Sequence, residues 1–123
     1  MRALIVDDSK AMRSIVGLIV KQVGFEILEA GNGLEALEKL KTCGEVELIL
    51  VDWNMPEMNG IDFLRAVRAQ PGSSAFKMLM VTTASDLEHI NTALEAGANE
   101  YLMKPFTKEA MVSKLQMLGM LEA

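Results

Sequence analysis

A lone cysteine, Cys43, excludes any internal disulfide, which fits a chain kept in a reducing cytoplasm. A lone histidine, His89, excludes a histidine metal cluster or a catalytic triad; beside the apolar face of a helix, it is expected to be solvated. No run approaches the roughly 18 apolar residues that a membrane span requires, and no membrane insertion is expected. Met1-Arg2 leads straight into a strand pattern, so no secretory leader is expected. Positive charge is also short: 12 basic against 17 acidic residues leave a net charge of −5. That excludes the basic surface nucleic acid or an anionic membrane would need. A nucleotide-binding P-loop, a linker and low-complexity sequence are absent as well.

What is present is alternation. Ala3–Val6, Phe25–Glu29, Leu48–Asp52, Phe76–Val81 and Tyr101–Met103 read as strands, the third with no polar residue before Asp52. Such apolar runs suit strands covered on both faces. Between them lie helical patterns: roughly 9–22 with Met12, Ile15, Val16, Ile19 and Val23; a second carrying Leu34, Leu37 and Leu40; and 61–69 with Ile61, Leu64 and Val67. A fourth carries Leu87, Ile90 and Leu94 and is closed by Gly97; the last runs over 107–119 with Met111, Leu115 and Leu118. Five strands and five helices in strict alternation predict an α/β fold, a single doubly wound domain with a parallel sheet.

Ligands of such sheets bind beyond the carboxyl ends of the strands. There the first strand brings Asp7 and Asp8, the third Asp52, the fourth Thr82 and Thr83, and the fifth Lys104. Like charges about 4 Å apart repel by roughly 4 kcal/mol at an effective dielectric near 20. Grouped carboxylates therefore raise their pKa values or take in a cation. An all-oxygen donor set suits Mg2+, and a lysine and a threonine hydroxyl opposite it would clamp a phosphoryl group. Asp52 is then placed as a nucleophile that forms an acyl phosphate. Each residue also has a plainer reading. Asp8-Ser9 could cap the first helix, Lys104 could be a solvated charge, and Trp53 is expected to pack partly buried beside the site. Gly31-Asn32-Gly33-Leu34-Glu35-Ala36 matches a dinucleotide fingerprint. It follows the second strand rather than the first, however, and reads as a turn and helix start.

Asp7-Asp8, Val51-Asp52-Trp53-Asn54-Met55-Pro56, Met80-Val81-Thr82 and Lys104-Pro105-Phe106 resemble, in this order, the receiver domain of two-component response regulators. The likeness runs from Arg2 to Leu118. With Tyr101, it is nearest to the single-domain chemotaxis regulators. The resemblance implies a flavodoxin-like (βα)5 domain with strand order 2-1-3-4-5, residues 1–123 forming a receiver with no output domain. It implies Asp52 as the acceptor of phosphate from a histidine kinase. Mg2+ would be held by Asp8, Asp52 and the backbone carbonyl of Asn54, with Asp7 acting through water. Thr82 and Lys104 would contact the phosphoryl oxygens, and Thr82 and Tyr101 would form the switch. It also implies a cis Lys104-Pro105 bond and a downstream protein target, with a flagellar motor switch as one candidate. Thr83 and Ala84 depart from the pattern: the family commonly has a small residue at the first, and chemotaxis members an acid at the second. The output surface is expected around the last two helices and the fifth strand; Leu87, Ile90, Tyr101, Met103 and Met111 lie in that region, and several of them must be core.

Two other classes fit parts of the pattern. A small Mg2+-dependent phosphatase could use Asp52 as nucleophile, but no sequence remains for the cap such enzymes use. A flavin-binding electron carrier shares the sheet order but needs a hydroxyl-rich loop after the first strand, which is missing.

Overall fold

The structure is a computed structural model and describes residues 1–42, 46–53, 55, 58–72, 76–83, 87–104 and 106–121, the side chains of Thr83 and Leu87 excepted. Cys43, Asn54, Pro56, Ser73, Ser74, Ala84 and Pro105 lie outside the described residues.

Five strands alternate with five helices: β1 Arg2–Val6, α1 Lys10–Gln22, β2 Glu26–Ala30, α2 Gly33–Thr42, β3 Leu48–Asp52, α3 Gly60–Arg68, β4 Lys77–Thr83, α4 Leu87–Ala96, β5 Glu100–Lys104 and α5 Lys108–Met117. All pairings are parallel, in the order β2-β1-β3-β4-β5. The doubly wound α/β reading holds, and β2 lies at an edge. Strand bounds shift slightly: β2 starts one residue later than its sequence pattern, and β4 extends through Thr82 and Thr83.

Alternation along the strands divides the core in two. Leu4, Val6, Ile49, Val51, Met78 and Met80 face α2, α3 and α4, where Ala36, Phe63, Leu64, Val67 and Ala93 meet them. Ala3, Ile5, Leu48, Leu50, Leu79, Val81 and Leu102 face α1 and α5, against Val16, Val20, Met111 and Leu115. Burying one large aliphatic side chain contributes about 1.5–3 kcal/mol, so both faces of β3 are committed and its register is fixed.

Helix starts follow from side-chain caps. The Ser9 hydroxyl accepts from Met12 N–H at 3.2 Å, the Asn59 carbonyl oxygen from Asp62 N–H at 3.0 Å, and the Thr107 hydroxyl from Ala110 N–H at 3.1 Å. Each cap contributes about 1 kcal/mol. In the Gly31-Asn32-Gly33 stretch, Asn32 accepts from Glu35 N–H at 2.8 Å, and the Glu35 carboxylate accepts from Gly31 N–H at 3.1 Å. The pair resembles a capping box, with the carboxylate reaching the N–H one residue before the cap, as the turn-and-helix reading expects.

Some helical faces differ from the expected ones. Ile15, Leu34 and Leu94 are exposed. The rest of the expected faces pack inward, with Val16 and Ile90 buried and Met12, Ile19, Val23, Leu37 and Leu40 against the core, and Gly17, Val20, Gly33, Ala36 and Ala93 join the buried stripes. Small residues let these helices lie close to the sheet, and Leu34 and Leu94 fall to the flanks. Among the described helices, none is long and apolar enough to cross a membrane.

Candidate functional site

At the carboxyl end of the sheet the chain gathers charge. Asp7 directly follows β1 and is held there: its N–H donates to Ala30 O at 3.1 Å, and its carbonyl accepts from Arg13 Nη1 at 2.6 Å. Its carboxylate accepts from Ser9 N–H at 2.9 Å. Ser9 therefore caps α1, the plainer reading of that stretch, while Asp7 remains in the site. Asp52 ends β3, opposite Val81 of β4. Gly60 fixes the chain just beyond. Its N–H donates to Trp53 O at 2.9 Å, and a Cβ there would meet Asp52 O at 2.4 Å. The start of α3 is thus pressed onto the Asp52 backbone, at an approach only glycine permits.

Asp7, Asp8 and Asp52 bring carboxylate oxygens within 4.8 Å of one another. Asp7 and Asp52 are buried, and Asp8 is exposed. From β5, Lys104 Nζ reaches Asp52 Oδ1 at 3.1 Å and Asp7 Oδ2 at 3.3 Å. Burial pushes the Asp52 carboxyl above its ordinary pKa; Lys104 opposes this, and Asp7 and Asp8 add to it. For Lys104, burial acts to lower the pKa, but the charges and hydrogen bonds of Asp52 and Asp7 outweigh it and hold the ammonium above its usual value. One cation therefore serves several acids. The group offers oxygen donors and no nitrogen or sulfur, which fits a small hard divalent cation rather than zinc or copper.

Thr82 follows Val81 at the same end and is 2 % exposed. Its Oγ1 is buried and has no hydrogen-bond partner among the described residues. Its position continues the α2–α4 face of the sheet, whereas Asp7, Asp52 and Lys104 continue the α1/α5 face. Tyr101 pairs with Met80 and Met103 with Thr82, which places Tyr101 diagonal to Thr82 on one face. The structure thus brings Asp7, Asp52 and Lys104 into contact with Asp8 close by, and leaves Thr82 and Tyr101 on the other face of the neighbouring strands. Asn54 lies outside the described residues.

The region expected to carry the output surface divides between core and surface. Ile90 and Met111 are core residues, while Met103 is exposed. His89 is not a solvated side chain: half-buried, its ring stacks on Trp53 with centroids 3.9 Å apart and planes 8° from parallel. Sequence spacing gave no sign of this contact, which joins segments 36 residues apart, nor of Arg13 in the first turn of α1 reaching back to the carbonyl of Asp7.

Sheet order and crevice together define the class: a doubly wound domain whose carboxyl-end acids are bridged by a strand-borne lysine. A family profile described as the response regulator receiver domain matches residues 3–116. The chain belongs to the response regulator receiver domain family. Within it, the chemotaxis protein CheY1 of Helicobacter pylori is 41 % identical over 119 residues, covering 96 % of each chain. A chemotaxis protein CheY homolog of Campylobacter jejuni is 40 % identical over 117 residues, 94 % of this chain and 90 % of that one. The solved structure of Vibrio cholerae chemotaxis protein CheY4 superposes with a TM-score of 0.86 at 35 % identity, over 94 % of this chain and 96 % of that one.

Proposed function

We propose that residues 1–123 act as a phosphorylation-operated receiver in a chemotaxis-type two-component system, with Asp52 as phosphoacceptor and a protein-binding surface as output. The observation that carries this reading is the Lys104 bridge to Asp52 and Asp7 at 3.1 and 3.3 Å, together with the Thr82 hydroxyl, which has no hydrogen-bond partner among the described residues. A cation is thus on the acid whose oxygen would attack, and a hydroxyl donor lies one residue past that acid's register partner Val81 on β4.

Asp8 and Asp52, with the backbone carbonyl of Asn54, are the residues that would hold Mg2+, Asp7 contributing through water. Bound there, the metal would supply charge neutralisation for the acids and for the transferring oxygens. Asp52 Oδ attacks the phosphorus of a histidine kinase's phosphohistidine. The P–O bond forms as the P–N bond breaks, and the imidazole leaves with the electron pair and takes a proton from solvent. Lys104 Nζ moves from the carboxylates to a phosphoryl oxygen, and Thr82 Oγ1 donates its hydrogen bond to another. Tyr101, diagonal to Thr82, then turns inward as the threonine moves, changing the face formed by α4, β5 and α5. The equilibrium between two arrangements is shifted by the new contacts. The chemotaxis assignment rests on the named relatives; a flagellar motor switch is the candidate target that the family resemblance implies. A cytoplasmic location fits the lone cysteine. The only chemistry assigned is the chain's own phosphorylation and dephosphorylation.

Trp53, the only tryptophan, adjoins Asp52 and provides the test. Its fluorescence is followed on adding Mg2+ and then acetyl phosphate, with mass spectrometry in parallel. One phosphoryl group per chain, absent in Asp52→Asn, is the expected result. Sustained turnover of phosphate esters without a stable phosphoprotein would replace this reading with the phosphatase.

A further inference from the structure

Tyr101 is held by two side chains that the phosphoryl-transfer chemistry does not use. Lys114 Nζ lies 4.2 Å from the centroid of its ring. The same ammonium is 2.9 Å from Glu100 Oε1, and that oxygen also accepts from Tyr101 N–H at 3.1 Å. The two charged side chains are largely buried, Glu100 at 16 % and Lys114 at 21 % exposure. Beside them runs a groove of about 370 Å³ lined by Tyr101, Met103, Phe106, Ala110 and Lys114.

We propose that Glu100 and Lys114 form a latch that holds Tyr101 at the β5 edge, making Lys114 a positioning residue that sets the resting side of the switch. The inference rests on the reading of Tyr101 as the switch residue. Its geometry follows from the sheet. Leu102 belongs to the α1/α5 core, so Glu100 shares that face and Tyr101 points to the opposite one. Lys114 stands on α5 between the buried Met111 and Leu115. Its ammonium meets the ring by passing around β5, which is possible because β5 is the last strand of the sheet. A ring turned under α4 toward Thr82 would leave that ammonium behind. A cation over a partly exposed aromatic face biases a conformation by about two- to fivefold. Glu100 strengthens the bias, since Lys114 cannot follow the ring without leaving its carboxylate. Phosphorylation of Asp52 must therefore overcome the latch, which keeps the unphosphorylated chain from presenting its output face.

Tyr101 is the only tyrosine, so fluorotyrosine labelling gives one fluorine NMR signal. Its broadening by a neutral gadolinium chelate reports ring exposure. Wild type loaded with Mg2+ and beryllium fluoride, a phosphoryl analogue, supplies the inward reference. In unloaded protein, Lys114→Met is expected to raise the inward-to-outward ratio about two- to fivefold. Glu100→Gln moves it the same way by less, and Lys114→Arg restores wild-type exposure. Equal or greater exposure in Lys114→Met, with loading still reducing it in wild type, overturns the latch and leaves the switch standing. Unchanged exposure on loading wild type overturns the switch reading, and the latch with it.

Discussion

At the amino end of the sheet, Glu47 O accepts from Lys77 N–H at 2.9 Å while Glu47 N–H donates to Arg2 O at 3.1 Å. Asn99 pairs with Met78 twice, donating N–H to Met78 O at 2.9 Å and accepting from Met78 N–H at 2.8 Å through its side chain. Arg68 closes the same corner, donating to Asn99 Oδ1 at 2.7 Å and to Gly97 O at 2.9 Å. Gly97 takes a positive φ of 117° there, and a Cβ would press on Arg68 at 2.8 Å. The carboxyl end is arranged otherwise. Three carboxylates cluster by one ammonium, burial raises the Asp52 pKa, and a buried hydroxyl has no partner among the described residues. Donors and acceptors are matched where the sheet begins and left in surplus where it ends. The difference locates what a ligand would complete: an unmatched cluster persists because packing elsewhere holds the strands that carry it.

Lys104→Met tests the surplus most severely. Phosphoryl uptake from acetyl phosphate should fall by about 100-fold, the scale of losing one transition-state charge contact. Metal-free stability should drop by about 1–2 kcal/mol as the acids lose their counter-ion. Mg2+ should bind several-fold more tightly, because the competing ammonium is gone. Stopped-flow fluorescence of Trp53 and a Mg2+ titration read the two opposite signs. Weaker Mg2+ binding in the variant would mean that Lys104 supports the acids rather than competing for them.

Asn99→Ala tests the matched end. It leaves the Met78 N–H unpaired in the core and removes one acceptor from Arg68, at a cost of about 2 kcal/mol. The melting temperature should fall by roughly 5–10 °C, with phosphoryl uptake and Mg2+ affinity unchanged. A change in uptake comparable to that in Lys104→Met would show that the two ends are coupled and the contrast is not one of separate roles.

The contrast was only half visible in the sequence. Strand-end residues announce themselves, because an apolar run that stops at Asp7, Asp52 or Lys104 places a charge at the carboxyl end of a parallel strand. The family likeness then carried the order of the sheet and the roles, which residue patterns by themselves left open. The amino end gave no comparable signal: Arg68, Gly97 and Asn99 come together only through the packing of α3 and α4. The same limit hid His89 against Trp53 and Lys114 over Tyr101, pairs 36 and 13 residues apart that obey no helical or strand period. Leu34 and Leu94 misled for a different reason. Periodicity weighs large apolar side chains, whereas these helices bury the small Ala36 and Ala93 in the core, and Gly33 lies against Met58.

Thr82→Val probes the smallest part of the surplus, and its sign carries the information. In an ordinary core, exchanging a buried threonine hydroxyl for a methyl breaks a hydrogen bond and destabilises. Here the hydroxyl has no partner among the described residues, so the exchange removes an unsatisfied group and adds apolar contact with its surroundings. The unphosphorylated, metal-free protein should gain about 1 kcal/mol in urea denaturation, with an unchanged slope. Mg2+ affinity should stay the same, because the carboxylates are untouched. The exposure of Tyr101, however, should cease to respond when the phosphoryl analogue is loaded. A loss of about 1 kcal/mol instead would mean that the hydroxyl is already satisfied before any phosphoryl group arrives, and the carboxyl end would then hold a surplus of acids alone.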